Sequence, residues 1–100
     1  MPYFVYILYS KSTDRFYKGQ TNNLEDRLIR HNGEREASTS GGTPWLLLWN
    51  TTKRTREEAV ELEGKLKNLN RNKLIDFMKK YNEGIAGPDA KLLLEQWSGC

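Results

Sequence analysis

The sequence predicts an α+β domain, a three-stranded antiparallel sheet flanked by helices. Three observations carry this. "YFVYILY" and "FYK" are aromatic and β-branched runs separated by polar turn residues, the pattern of a β-hairpin. "PWLLLWN" is a third short run of bulky residues. Two later stretches open on capping patterns and then repeat apolar residues at helical spacing. One hundred residues can enclose a single modest core, so the chain reads as one unit and any site must be assembled from short-range pieces.

The first strand spans Tyr3 to Tyr9, and "SKSTDR" turns the chain into a second at Phe16 to Lys18, which Gly19 ends. Asn22 followed by Glu25 resembles a capping box, and Leu24 and Leu28 form a buried stripe, predicting a helix over 22–31. Arg27 and His31 fall one turn apart on that helix, so a cation and an imidazole share a face. Residues 32–44 have no apolar periodicity and read as a mobile loop, long for so small a domain and open to a substrate contact. "PWLLLWN" carries bulky residues on both faces, which predicts a central strand with Trp45 and Trp49 in the core.

Thr55 and Glu58 form a second capping box, and Ala59, Leu62, Leu66 and Leu69 continue an amphipathic helix to about Asn68. Leu74, Phe77, Met78 and Tyr81 mark a third helix. The domain is therefore drawn over 1–81. Residues 82–100 read as a linker followed by a short, loosely docked helix or a disordered end.

The formal charge is +3, unevenly spread: residues 53–80 hold nine basic and five acidic groups, while 81–100 hold one and three. A basic middle attracts polyanions, although such runs are also ordinary solvated helix faces. Cys100 is the one cysteine, which excludes a disulfide framework and a cysteine metal cluster and fits a reducing cytoplasm. The apolar opening is too short to span a bilayer and lacks a basic leader, so neither a membrane helix nor a signal peptide is expected.

The order of Tyr6 in "FVYIL", then "FYKGQTNNLEDRLIRH", "PWLLLW" and "EEAVELEGKLKNLNRNKL" resembles the GIY-YIG nuclease domain, in particular its small stand-alone bacterial members and the excinuclease N-terminal type. The likeness covers residues 3 to about 80. Phe4 stands where the first motif has glycine, Val5 where it has isoleucine, and Lys18 replaces the isoleucine of the second. Both tyrosines and Gly19 are kept. Gln20 stands where some members carry lysine.

The resemblance implies that Tyr6, Tyr17, Arg27, His31 and Glu63 are catalytic, with Glu63 as ligand of Mg²⁺ or Mn²⁺. These residue types suit the chemistry. Phosphodiester hydrolysis needs an activated water, charge stabilisation on the phosphoryl oxygens and help for the departing oxygen. Mg²⁺ accepts a single protein carboxylate beside waters and phosphate oxygens. Read without the resemblance, Glu63 pairs with Lys67 one turn on, and Arg27 forms a surface ion pair with a neighbouring acid such as Asp26 or Glu25. A tyrosine with an ordinary pKa of ~10 is a poor base at neutral pH, so one of the two must be depressed or must orient the water instead. Gly19 is read as structural, allowing close backbone approach. Lys18, Gln20 and Lys73 are candidate nucleic-acid contacts, although the polar cluster of Asn68, Asn70, Arg71 and Lys73 also suits a helix junction.

The expectation is thus a cytoplasmic, monomeric, metal-dependent DNA endonuclease, selective for DNA structure rather than sequence and suited to DNA repair. Two rivals are a nucleic-acid-binding module without turnover and a protein-docking domain that uses "LLLEQW".

Overall fold

The computed structural model describes residues 2–33 and 41–97. Most of the predicted mobile loop over 32–44, and Cys100, lie outside the described residues. The elements run β1 (Tyr3–Ser10), β2 (Arg15–Thr21), α1 (Leu24–Asn32), β3 (Trp45–Lys53), α2 (Arg56–Lys67), α3 (Arg71–Lys80), a 3-10 turn (Asn82–Gly84) and α4 (Pro88–Trp97). The strands form one antiparallel sheet in the order β2-β1-β3, and the expected α+β class with helices on a three-stranded sheet is the one observed.

β1, rather than β3, is central. Val5 to Ser10 are buried without a break, because this strand is covered on both faces and paired on both edges. Its alternate residues enter two separate cores. Val5, Ile7 and Tyr9 face α2, α3 and α4 through Ala59, Leu66, Leu74, Ile75, Met78, Ala90 and Leu94. Tyr6 and Leu8 face α1, packing with Trp45, Tyr17, Leu24 and Leu28. In β3 the register with β1 shifts between Ile7 and Leu8. Leu48 and Trp49 are consecutive yet enter the same core, which is the re-aiming a bulge produces. The outer edge of β3 is partly covered by the segment after α3: Ala86 N donates to Leu48 O at 2.9 Å and Ile85 bridges to Trp49.

β2 does not stop at Gly19; it continues to Thr21, because Gly19 pairs with Tyr6 inside the sheet. The cap of α1 is Asn23 rather than Asn22, its side chain accepting from Asp26 N at 3.1 Å. Thr55 caps α2 as the sequence predicts, accepting from Glu58 N at 3.2 Å.

The C-terminal segment over 82–97 is neither loose nor disordered. Ala90 and Leu94 are buried in the larger core, and Trp97 lies edge-on to Tyr9 and Phe16 with ring centroids 5.0 and 5.5 Å away. Arg71 closes this corner. Its Nη1 donates to Asp14 Oδ1 at 2.9 Å, and its guanidinium lies over the Phe16 and Trp97 rings at 5.1 and 5.3 Å. Asp14, in the hairpin turn at φ 54°, also accepts from the Tyr9 hydroxyl at 2.7 Å, and these two donors hold its carboxyl below the usual range. A three-residue apolar run in a polar tail gave too little signal to show this docking. The expected consequence is that Leu94→Ala destabilises the whole domain by about 2–5 kcal/mol, as truncation of a buried leucine does. Urea unfolding followed by circular dichroism checks it, and an unchanged midpoint would show that α4 is dispensable.

Candidate active site

Tyr6 sits at the middle of the sheet, opposite Gly19 on β2 and Asn50 on β3. Its ring lies directly over Gly19. A Cβ added there would come within 2.6 Å of the Tyr6 hydroxyl, 2.7 Å of its Cζ and 3.0 Å of Tyr17 Cε2. The glycine therefore provides room for two aromatic rings, the close approach expected from the sequence. Tyr17, two residues earlier on β2, projects to the same face, its ring centroid 6.1 Å from that of Tyr6.

The capped start of α1 and the docking of Leu24 and Leu28 against Tyr6, Leu8 and Trp45 set the rotation of that helix. His31 is consequently buried, with its Nε2 2.9 Å from the Tyr6 hydroxyl and its ring 4.9 Å from that of Tyr17. Asn32 fixes the end of the helix. Its Oδ1 accepts from Trp45 N at 2.6 Å and its Nδ2 donates to Trp45 O at 3.4 Å, tying α1 to β3.

Burial pushes the Tyr6 phenol up to about 12, and its neighbours Tyr17 and Glu63 push the same way. Arg27 opposes them as hydrogen-bond donor and as charge. The Tyr6 hydroxyl is thus a neutral phenol at physiological pH, joined to His31 and Arg27 and within the field of Glu63. Side chains of β1, β2 and α1 meet there. Tyr6 and His31 have no exposed surface, whereas Tyr17 and Arg27 are half-buried.

The raised value has a testable consequence. A folded-state pKa of about 12 against an unfolded value of 10.0 means that Tyr6 adds stability below pH 10, and that this is lost as pH rises through 12. Between those limits the parent should lose on the order of 2–3 kcal/mol more than Tyr6→Phe. Urea unfolding of both proteins across that pH range measures it, and parallel curves would contradict the buried neutral phenol.

Glu63 projects from α2 with 18% of its side chain exposed, and Lys67 Nζ lies 3.3 Å from its Oε2. Both readings of Glu63 thus have a physical basis: it pairs with Lys67, and it lies close enough to Tyr6 to act on its ionisation. Lys18 follows Tyr17 on β2 and so faces the other side of the sheet, where burial and the nearby Lys67 ammonium lower its pKa. Gln20 lines a polar hollow with Arg27 and Arg56. Lys73 is exposed in the first turn of α3, whose N-terminal Arg71 binds the hairpin turn, and it does not join the Tyr6 cluster. Sequence reasoning missed Asn32, Asn50 and Arg56. The Asn50 pairing depends on a bulge that no spacing rule reveals.

The sequence matches the GIY-YIG catalytic domain over residues 2–82. The chain belongs to the GIY-YIG family. It is also similar to the solution NMR structure of the UPF0213 protein BH0048 from Bacillus halodurans, at 30% identity and a TM-score of 0.53, over 79% of this chain and 84% of that one. No curated protein matches closely enough to count as a relative. The GIY-YIG family is of nuclease type, and its nucleases generally depend on a divalent metal. Among the described residues no helix is long and apolar enough to cross a membrane.

A metal fits the donors of this GIY-YIG site in one way. Among the described residues no three His, Cys, Asp or Glu side chains come together, so Glu63 is the carboxylate on offer. One carboxylate suits a hard octahedral cation that keeps its waters and takes phosphate oxygens. Lys67 is 58% exposed, and such a solvent-side ion pair is worth only about 0.2–0.5 kcal/mol, so its displacement costs little.

Proposed function

We propose that this GIY-YIG protein is a metal-dependent endonuclease that hydrolyses DNA phosphodiester bonds. The carrying observation is the Tyr6 hydroxyl, which is joined to His31 and Arg27 and lies in the field of Tyr17 and Glu63. A tyrosine placed only for packing needs one partner for its hydroxyl, and this one has a cation, an imidazole and a carboxylate around it.

In this reading Arg27 offers its planar donors to the scissile phosphate, because it lies beside Tyr6 and lines an open polar hollow. Tyr17, the half-buried member of the tyrosine pair, orients the attacking water. Tyr6 stays protonated and passes its hydrogen bond to His31, fixing the imidazole for proton transfer. Glu63 would hold Mg²⁺ or Mn²⁺, which supplies a lowered water pKa and neutralises charge on the phosphoryl oxygens. Gln20 lies where it can touch the backbone beyond Arg27, whereas Lys18, near Lys67, and Lys73, in the first turn of α3, extend the electrostatic footprint.

The reading extends to a monomeric cytoplasmic enzyme acting in DNA repair. It includes selection of DNA structure rather than sequence, since base readout needs an element inserted in a groove and the α4 segment is committed to the core. That commitment leaves less of "LLLEQW" for docking a partner, because Leu94 and Trp97 pack internally and Leu92 alone of its leucines is exposed.

The test is a panel of end-labelled duplex, branched, flapped and single-stranded DNAs incubated with pure protein and Mg²⁺. Cleavage that tracks junction geometry across unrelated sequences supports the reading. Salt-sensitive binding to all of them without a single cut would favour the binding module.

A further inference from the structure

A polar hollow of about 310 Å³ opens beside the Tyr6 cluster, at the end of the sheet where β1 begins and β2 ends. It is lined by Tyr3, Gln20, Thr21, Asn22, Arg27 and Arg56. All six have polar side chains, two are guanidinium cations, and none is a carboxylate. Arg27 is shared with the candidate active site, so one arginine joins the two spaces.

Arg56 is the first residue of α2 and is exposed. Among the described residues no acidic side chain forms an ion pair with it. Glu57 and Glu58 occupy the first turn of the same helix and offset its N-terminal dipole, so the attraction of the hollow for an anion comes from the two guanidiniums. The basic surface continues past Arg56. Lys53 pairs with Tyr3 across the sheet, and Lys53 and Arg54 line the adjoining groove with Pro2 and Thr52.

We propose that this hollow is a second phosphate subsite, in which Arg56 binds the phosphodiester next to the scissile one on the cleaved strand. The assignment rests on the DNA-cleaving reading above. Guanidiniums match phosphate oxygens in pairs, and the amides and hydroxyls of Gln20, Asn22, Thr21 and Tyr3 can donate to the oxygens that remain. A strand whose scissile phosphate lies on Arg27 carries its neighbouring phosphate toward Arg56 without leaving this basic surface. Lys53 and Arg54 then stand along its continuation.

The test compares the parent, Arg56→Gln and Lys91→Gln, which makes the same charge change at an exposed position of α4. Duplex binding is measured by fluorescence anisotropy across a salt series. Loss of one phosphate contact lowers the magnitude of the log-log salt slope by about 0.9 in Arg56→Gln and leaves Lys91→Gln on the parent line. In a duplex with a mapped cut site, single neutral methylphosphonates are then placed on either side of that site. One flanking position should weaken the parent several-fold and leave Arg56→Gln unaffected, since its contact is already gone. A parent that binds and cleaves, with Arg56→Gln matching it in slope and in methylphosphonate sensitivity, overturns the subsite alone. A parent that neither binds nor cleaves any DNA overturns the nuclease reading and the subsite with it.

Discussion

Glu63→Gln should retain the fold and bind DNA at least as well as the parent, yet cleave it slower by several orders of magnitude. The substitution keeps the size and helix propensity of the side chain and removes one negative charge close to where phosphates would lie. Metal stabilisation of developing charge is worth several kcal/mol, and each ~1.4 kcal/mol is a factor of ten in rate. Lys67→Gln supplies the necessary contrast, because Lys67 is paired with Glu63 at 3.3 Å. Breaking the pair from the lysine side frees the carboxylate and should leave cleavage at or above the parent rate. Single-turnover cleavage across a Mg²⁺ titration distinguishes the outcomes. Equal loss in both variants would assign the effect to the ion pair, and full activity in Glu63→Gln would remove the carboxylate from the site.

The second large effect is expected at Gly19. A methyl group there meets the Tyr6 hydroxyl and Cζ at 2.6 and 2.7 Å, and both belong to a ring with no exposed surface. Tyr6 cannot swing outward freely, since its other neighbours are Tyr17 and His31. Gly19→Ala must therefore shift the strand or the ring, and overpacking of this kind costs about 1–3 kcal/mol. Where the ring is what moves, the 2.9 Å contact between Tyr6 and His31 is lost. Urea unfolding should show the destabilisation, and cleavage should fall at least a hundredfold at a temperature where the variant is still folded, since a misplacement of about 1 Å can cost that much. Normal activity in a normally stable Gly19→Ala would mean that the ring is not held as described.

The elements were legible where local chemistry decides them. The hairpin runs, the Thr55 cap and the stripe through Ala59 and Leu66 each state their structure within a few residues. What depended on tertiary pairing was not legible. "PWLLLWN" reads as central because it is bulky throughout, yet it lies at an edge that Ile85 and Ala86 partly cover. Gly19 reads as a stop, although it is held inside a strand by the need to accommodate Tyr6. "KLLLEQW" reads as loose because its partners Tyr9, Phe16 and Arg71 are distant in sequence. For the candidate site, the spacing of Arg27 and His31 showed a shared helix face. It could not show that His31 would be buried against Tyr6 while Tyr17 and Arg27 stay half-buried. Arg56 gave no signal beyond its charge, because the hollow it lines is formed by residues from β1, β2 and α1.

Strand cleavage in this protein is expected to require a divalent metal. The protein, stripped with EDTA and in excess over an end-labelled DNA that it binds, is followed before and after addition of Mg²⁺ or Mn²⁺. The DNA should stay intact in EDTA, yield 5′ and 3′ fragments after either metal is added, and stop being cut as soon as chelator is restored. Cleavage that persists in EDTA, or DNA that stays bound and intact in both metals, would contradict this expectation.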